Sequence, residues 1–236
     1  DDIRVTAHYE SLKDRVVIIT GGGQGIGRGY ARHFARQGAI PVIAELNGEN
    51  GENVKREVEE AGGIAYAFET DVGSMDSVSA MAEATLSATG RIDILINNAA
   101  VFSKITMAPF WELPLEEWDS AMQVNVTGSF YCARAVVPAM QEAKWGRIVN
   151  VTSGTVALGS ANYLHYITSK SAMIGMTRSM ARELGPWNVT VNTFWPGIIK
   201  TEVPRPSAPD AVFEMFREQQ CLPRLTTIED LAKPML

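Results

Sequence analysis

The sequence predicts an α/β fold: a single domain built on a doubly wound parallel sheet with helices on both faces. Two observations carry that expectation. Short runs rich in Val and Ile alternate with longer stretches of helical spacing along nearly the whole chain. The runs are also almost continuously apolar, the pattern of strands buried on both faces. In order, the expected strands are "RVVIIT" (15–20), "AIPVIAEL" (39–46), "AYAFETDV" (65–72), "IDILINNAA" (92–100), "GRIVNVTS" (146–153) and "NVTVNTFWPG" (188–197). Helices are expected near 26–38, 50–61, 75–89, 115–143 and 165–184. Residues 1–14 read as a short polar N-terminal extension and 15–236 as the domain. The stretch 198–223, "IIKTEVPRPSAPDAVFEMFREQQCLP", leaves the strand rhythm. Its four prolines break regular structure, which suits a mobile lid over a site.

Composition excludes several classes. A chain of 236 residues, 46% hydrophobic and 20% charged, can bury a full core. Its formal net charge of −6 argues against nucleic acid or an anionic membrane as the main partner, since both need clustered positive charge. Cys132 and Cys221 form no CxxC, and His8, His33 and His165 form no HExxH. No structural metal or disulfide framework is expected, and the usage fits a reducing cytoplasm. No apolar run reaches the roughly 18 residues of a membrane span, and "DDIRVTAHYE" has no signal-peptide core.

The strongest local signal follows the first strand, in "TGGGQGIGRG" (20–29). Gly21, Gly25 and Gly27 join a strand end to a helix start, where glycine lets a phosphate approach backbone N–H groups and the helix supplies positive partial charge. The Rossmann pattern G-x-G-x-x-G is not met, because Ile26, Arg28 and Tyr30 fall where its last glycine would be needed. What stands is G-x-x-x-G-x-G. A second signal is "HYITSK" (165–170), which puts Tyr166 and Lys170 one above the other on a helix face. The same spacing recurs in "YESLK", Tyr9 to Lys13, so spacing alone decides nothing.

Together these motifs resemble the short-chain dehydrogenase/reductase family, over nearly everything from residue 12 onward. "TGGGQGIG" is similar to its cofactor loop, "DV" (71–72) to its adenine-contacting pair and "NNAA" (97–100) to its NNAG strand end. Asn125 in "QVNVTG", Ser153 in "VTSGT", Tyr166 and Lys170 in "YITSK", and "PG" (196–197) follow in the family's order. Seven motifs in register select Tyr166 over Tyr9, which has no serine or glycine loop before it. The resemblance implies a Rossmann-type fold, a homotetramer, and catalysis by Asn125, Ser153, Tyr166 and Lys170. It further implies cofactor contacts from Gly21, Gln24, Gly25, Ile26, Gly27, Asp71, Val72, Asn98 and Ala99, and from Pro196, Gly197, Ile199 and Thr201 beyond the last strand. Tyr166 and Lys170 belong to the cofactor set as well.

Side-chain chemistry gives the same roles. Oxidising a secondary alcohol needs a base beside the hydroxyl, and a free tyrosine, with a pKa of about 10, is a poor one at neutral pH. An ammonium one helical turn away would favour the phenolate, so Lys170 is expected to lower the Tyr166 value. In the family its counterpart also holds the nicotinamide ribose. Ser153, at a strand's carboxyl end, would orient the substrate oxygen. Asn125 resembles the residue that holds a relay water between the lysine and solvent.

Glu45 ends "VIAE" some twenty residues past the glycine loop, where a carboxylate can accept hydrogen bonds from the adenosine ribose and would repel a 2′-phosphate. Gln24 stands where NADP users of the family often carry a basic residue. NAD is the expected cofactor over NADP, with Arg28 a counter-argument unless it faces solvent or a neighbouring element. Phe102, Trp195 and Val203 are expected in the substrate pocket, with further apolar groups at Ile105, Met107, Phe110, Trp111, Phe213 and Phe216. They suit a hydrophobic or aromatic secondary alcohol or ketone, unless they pack the lid or a neighbouring subunit. An NADPH-dependent ketone or 3-oxoacyl thioester reductase, and an NAD(H)-binding regulator without catalysis, are the alternatives. Family members usually end with a seventh strand, whereas this sequence stops at "IEDLAKPML", so a further C-terminal strand is expected beyond it.

Overall fold

The computed structural model describes residues 8–103, 105–205 and 208–236; residues 1–7 of the expected extension lie outside the described residues. Six parallel strands form one sheet in the order β3-β2-β1-β4-β5-β6: β1 (Val16–Thr20), β2 (Ile40–Glu45), β3 (Tyr66–Glu69), β4 (Ile94–Asn97), β5 (Gly146–Val151) and β6 (Val189–Phe194). All five pairings are parallel. The central strand explains the continuous apolar runs. Val17 and Ile19 share a cluster with Tyr30 and Phe34 of α1 (Gly25–Arg36), Val58 of α2 (Gly48–Glu60) and a C-terminal helix through Leu231. Val16 and Ile18 belong to a second cluster, with Met81 of α3 (Met75–Thr89) and Val136 and Met140 further on. Residues 16–19 of β1 therefore alternate between the two cores and are all apolar, and only Thr20, at the carboxyl end, is polar.

The chain winds outward through β2 and β3, then returns to build β4, β5 and β6 on the other side of β1. The order reverses between β1 and β4, and a crevice opens there at the carboxyl ends of the strands, the place where such sheets bind ligands.

Several boundaries differ from expectation. β3 stops at Glu69, three residues early, because the chain turns: the Asp71 carboxylate accepts the Gly73 N–H at 2.8 Å and Asp71 N–H donates to Ser77 Oγ. The expected helix at 115–143 divides into α4 (Leu115–Ala121), a π-helical turn (Met122–Thr127) and α5 (Gly128–Ala143). After the short α6 (Thr155–Leu158), α7 spans Leu164–Leu184. The expected lid is only partly irregular, since α8 occupies Asp210–Gln219. Pro209 stands just before its first turn, where a missing N–H costs nothing, and Pro204 and Pro223 lie outside it. The last helix, α9 (Ile228–Met235), packs on α1.

The start of the chain is not simply a polar extension. Glu10–Leu12 form a 3-10 turn whose Leu12 is buried in the first core cluster, and Tyr9 N–H donates to Gln37 Oε1 at 2.8 Å. The repeated Tyr-Lys spacing at Tyr9 and Lys13 is thus part of a surface turn remote from the crevice. At the opposite end of the sheet, Asp93 is nearly buried. It accepts from Arg15 at 2.7 Å, from Arg91 at 2.6 and 2.7 Å and from Val16 N–H at 2.9 Å.

Candidate active site

The glycine loop is shaped by two close approaches. Gly25 opens α1 with φ at +56°, which glycine adopts without strain. A Cβ on Gly27 would lie 2.2 Å from the Gly21 carbonyl oxygen, so only glycine lets the helix start so near the strand end. Asn98 locks the loop from behind, donating from Nδ2 to the carbonyls of Thr20 and Gly21 at 3.0 and 3.2 Å. The first turn of α1 therefore faces an open crevice with its N–H groups forward.

A cavity of about 860 Å³ runs from this loop to the start of α7. Of the site residues expected from the sequence, all but Gly27, Asn125 and Trp195 line it. Gly27 supports the loop from within. Trp195 is 42% exposed and donates from Nε1 to Thr193 Oγ1 at 3.0 Å, because the strand's alternation turns Phe194 toward the core and Trp195 away. Trp195 is therefore not a wall of the substrate pocket here. Phe110 and Trp111, at 65% and 71% exposure, also stand outside it, as do the buried Ile105 and Phe213, the latter beneath Lys200 Nζ at 5.8 Å from its ring centre. Met107 and Phe216 are walls as expected, joined by Leu158, Val212 and Met215.

At the inner end, Tyr166, Lys170 and Ser153 come together. Ser153 Oγ accepts from Thr155 Oγ1 at 2.9 Å and from Thr155 N–H at 3.3 Å. With both acceptor sites of the serine oxygen engaged, its proton is left to turn toward the Tyr166 phenol in the same cavity. Burial pushes the phenol up to about 12, against the Ser153 hydrogen bond and the charge of Arg205, which pull the other way. The expected lowering of Tyr166 by Lys170 is not present. Lys170 Nζ donates to the Val151 carbonyl at 2.8 Å and lies 5.9 Å from the Tyr166 ring centre, so its charge is directed at the strand end. Burial alone pulls the ammonium down to about 8. Burial thus drives the two groups apart, the phenol up and the ammonium down, and favours the uncharged form of each.

Asn125 sits in the π-helical turn and is fully buried. Its Oδ1 accepts the Val101 N–H at 2.8 Å, and its Nδ2 donates to Ser169 Oγ at 2.9 Å. Its carbonyl accepts from Ser129 Oγ at 2.9 Å. The side chain therefore clamps the loop after β4 to α7, and among the described residues Asn125 makes no direct hydrogen bond with Lys170.

Two of the pocket groups that escaped the sequence reading bear on the chemistry. Tyr163 precedes Tyr166 by one helical turn, and Arg205 comes from the lid; both line the cavity. Tyr163 could have been found from the i, i+3 spacing in "YLHY", whereas Arg205, alone between prolines, gave no signal.

At the outer end, Glu45 is buried and its Oε2 accepts the Gly23 N–H at 3.0 Å, beside the glycine loop. Asp71 and Val72 complete that end. The donor-rich loop, the carboxylate at the end of β2 and the cavity's length fit a dinucleotide. Gly25, Ile26 and Thr201 would hold its pyrophosphate and Glu45 its adenosine ribose, and the bound group supplies a hydride donor or acceptor.

A dinucleotide crevice leading to a buried Ser-Tyr-Lys cluster defines the class of protein: an oxidoreductase on a doubly wound sheet. The model of the short chain dehydrogenase family matches residues 15–211, and the chain belongs to that family. A probable galactose dehydrogenase of Rhizobium meliloti is 34% identical over 233 residues, 98% of this chain and 90% of the relative. Among solved structures, an NAD+-bound xylitol dehydrogenase superposes with a TM-score of 0.86 at 28% identity, covering 94% of this chain and 91% of that one. A 3-ketoacyl-(acyl-carrier-protein) reductase from Brucella melitensis, complexed with NADH, gives 0.85 at 30% identity, with 95% and 90% covered.

Proposed function

We propose that the protein interconverts a secondary alcohol and its ketone with NAD(H). The observation that carries this reading is the Tyr166 phenol, lining one cavity with Ser153, Lys170 and the glycine loop. In oxidation the phenol oxygen, once deprotonated, takes the hydroxyl proton of the substrate while Ser153 orients the same oxygen. Lys170 passes the proton onward. In reduction Tyr166 returns it.

Preference for NAD rests on charge. Glu45 lines the outer end of the cavity and Gln24 is neutral. Arg28, the cation nearest the loop in sequence, is held by Glu57 at 2.8 Å and by Glu202 at 3.2 Å. A 2′-phosphate would meet a carboxylate and no unpaired cation of the loop. The cofactors bound in the xylitol dehydrogenase and the Brucella reductase, NAD+ and NADH, agree with this reading. The apolar walls Phe102, Val203, Met107 and Phe216 favour a substrate with an apolar body. Likeness to the Brucella reductase supports a second reading, reduction of a 3-oxoacyl thioester.

Assembly as a homotetramer belongs to the same proposal. Gly175 on α7 has open space around it, and Leu115 of α4 is exposed, so both helices retain uncovered surface.

The test is a screen at 340 nm, offering NAD or NADP with aliphatic, aromatic and cyclic secondary alcohols, and the reduced cofactors with ketones and 3-oxoacyl thioesters. Turnover with NAD and an apolar alcohol upholds the reading. Signal confined to NADPH with a thioester would replace it, and silence with NADH still bound would favour a regulator.

A further inference from the structure

Among the described residues, Arg205 is a cation of the substrate end that the proposed chemistry leaves unused. The basic lining residues among them are Lys170 and Arg205, and Lys170 donates to the Val151 carbonyl. Arg205 comes from the lid between Pro204 and Pro206, and its carbonyl accepts the Ala208 N–H at 3.0 Å, a turn that fixes the start of the side chain. Its guanidinium lies 4.2 Å from the centre of the Phe102 ring, and that ring stacks in turn on Tyr166 at 4.4 Å. The group is thus drawn over the aromatic floor of the pocket, against the same Phe102 ring that packs on Tyr166.

The surroundings leave its charge unbalanced. Among the described residues no carboxylate lies within ion-pair distance of Arg205, whereas Arg15, Arg28, Arg91, Arg217 and Arg224 each have one. Its Nε is buried without a hydrogen-bond partner. The neighbours that do face it are the phenols of Tyr163 and Tyr166, which are uncharged acceptors. A half-buried guanidinium whose Nε has no partner and which has no carboxylate beside it is costly in isolation and matches a planar monoanion. A phosphate dianion fits less well, because among the described residues no second free cation of the lining stands near.

We infer that Arg205 is a specificity-determining residue, and that the substrate is a secondary alcohol, or its ketone, with a carboxylate held by Arg205 and an apolar spacer lying along Phe102. This rests on the alcohol dehydrogenase reading above and narrows its substrate class. The aromatic wall explains the spacer: the Phe102 ring lies against both Arg205 and Tyr166, so an apolar segment that joins carboxylate and carbinol packs on that ring.

The test compares fatty acids hydroxylated at the penultimate carbon with their methyl esters, which keep length and carbinol but lose the charge. The wild-type protein should favour the acid by about tenfold or more in kcat/KM, mainly through KM, consistent with a charge-assisted hydrogen bond. Arg205→Gln should lower the acid-to-ester ratio by about 10- to 100-fold, and Arg205→Lys should restore part of it. An unchanged ratio in Arg205→Gln, or a wild-type preference for the ester, would overturn the inference. Binding of the acid to the protein–NADH complex, followed by quenching of NADH fluorescence, separates this from the underlying reading. Saturable binding that Arg205→Gln abolishes, with no turnover of any alcohol, would sustain carboxylate recognition and sink the dehydrogenase; turnover of neutral alcohols with no binding of the acid would do the reverse.

Discussion

Phe102 stacks on Tyr166 with ring centres 4.4 Å apart and planes inclined by 29°. The loop after β4 therefore forms one wall around the Tyr166 phenol, and Asn125 holds that loop in place through the Val101 N–H. Removing only the phenol oxygen leaves this packing intact. Tyr166→Phe should thus lose at least about a thousandfold in kcat while binding NADH within about twofold of wild type, read by fluorescence titration. Residual turnover within tenfold of wild type would show that another group takes the proton.

The carboxylate of Glu45 both receives the Gly23 N–H and faces the outer cavity. Glu45→Gln keeps an acceptor for Gly23 and removes the charge. The ratio of kcat/KM for NAD over NADP should fall by about tenfold or more, chiefly through tighter use of NADP. An unaltered ratio would mean that this carboxylate does not discriminate.

Glu202 Oε1 accepts the Gly25 N–H at 3.0 Å, at the very N–H groups a pyrophosphate would need, and also pairs with Arg28. Burial pushes its carboxyl up, but hydrogen bonds from its own backbone, Gly25 and Arg28 outweigh this and hold it below the usual range. It is charged at neutral pH and competes with phosphate for the helix end. Glu202→Gln should bind NADH several-fold more tightly. Equal or weaker binding in the titration would refute the competition.

Asp93 anchors the opposite end of the sheet. Burial raises its carboxyl, yet hydrogen bonds from Arg91, the Val16 N–H and Arg15 more than offset that and hold it below its ordinary range. A depressed carboxylate stabilises the fold at pH values above its unfolded pKa, and that contribution is lost as pH falls through the lower folded value. Asp93→Asn should lower stability at pH 7 by about 2–4 kcal/mol in urea melts, because two arginines lose their buried partner. The difference from wild type should shrink as the pH is lowered through the acid range; a constant gap would argue that packing, not charge, is responsible.

Much of this was legible in the sequence because burial on both faces leaves little choice of residue. The strands read as continuous Val and Ile runs for that reason, and "TGGGQGIG" announced its loop because close backbone approach excludes side chains. What stayed hidden depended on partners distant in sequence. The π-helical turn around Asn125 leaves no mark in a helical pattern, since it is the Val101 and Ser169 hydrogen bonds that occupy the side chain there. The α8 helix was masked by prolines that turn out to bound it. The state of Tyr166 was misread because spacing gives the distance along a helix but not where the ammonium points, and Lys170 points to Val151.

The lid carries Glu202 and Arg205 three residues apart, one hydrogen-bonded at the cofactor loop and the other over the substrate floor. A dinucleotide that displaces Glu202 releases the same segment that must grip the second ligand. Binding order is thereby written into one short stretch of backbone. Kinetics should be sequential and compulsory, with dinucleotide first and last off, so that NADH inhibits competitively against NAD and the ketone product does not.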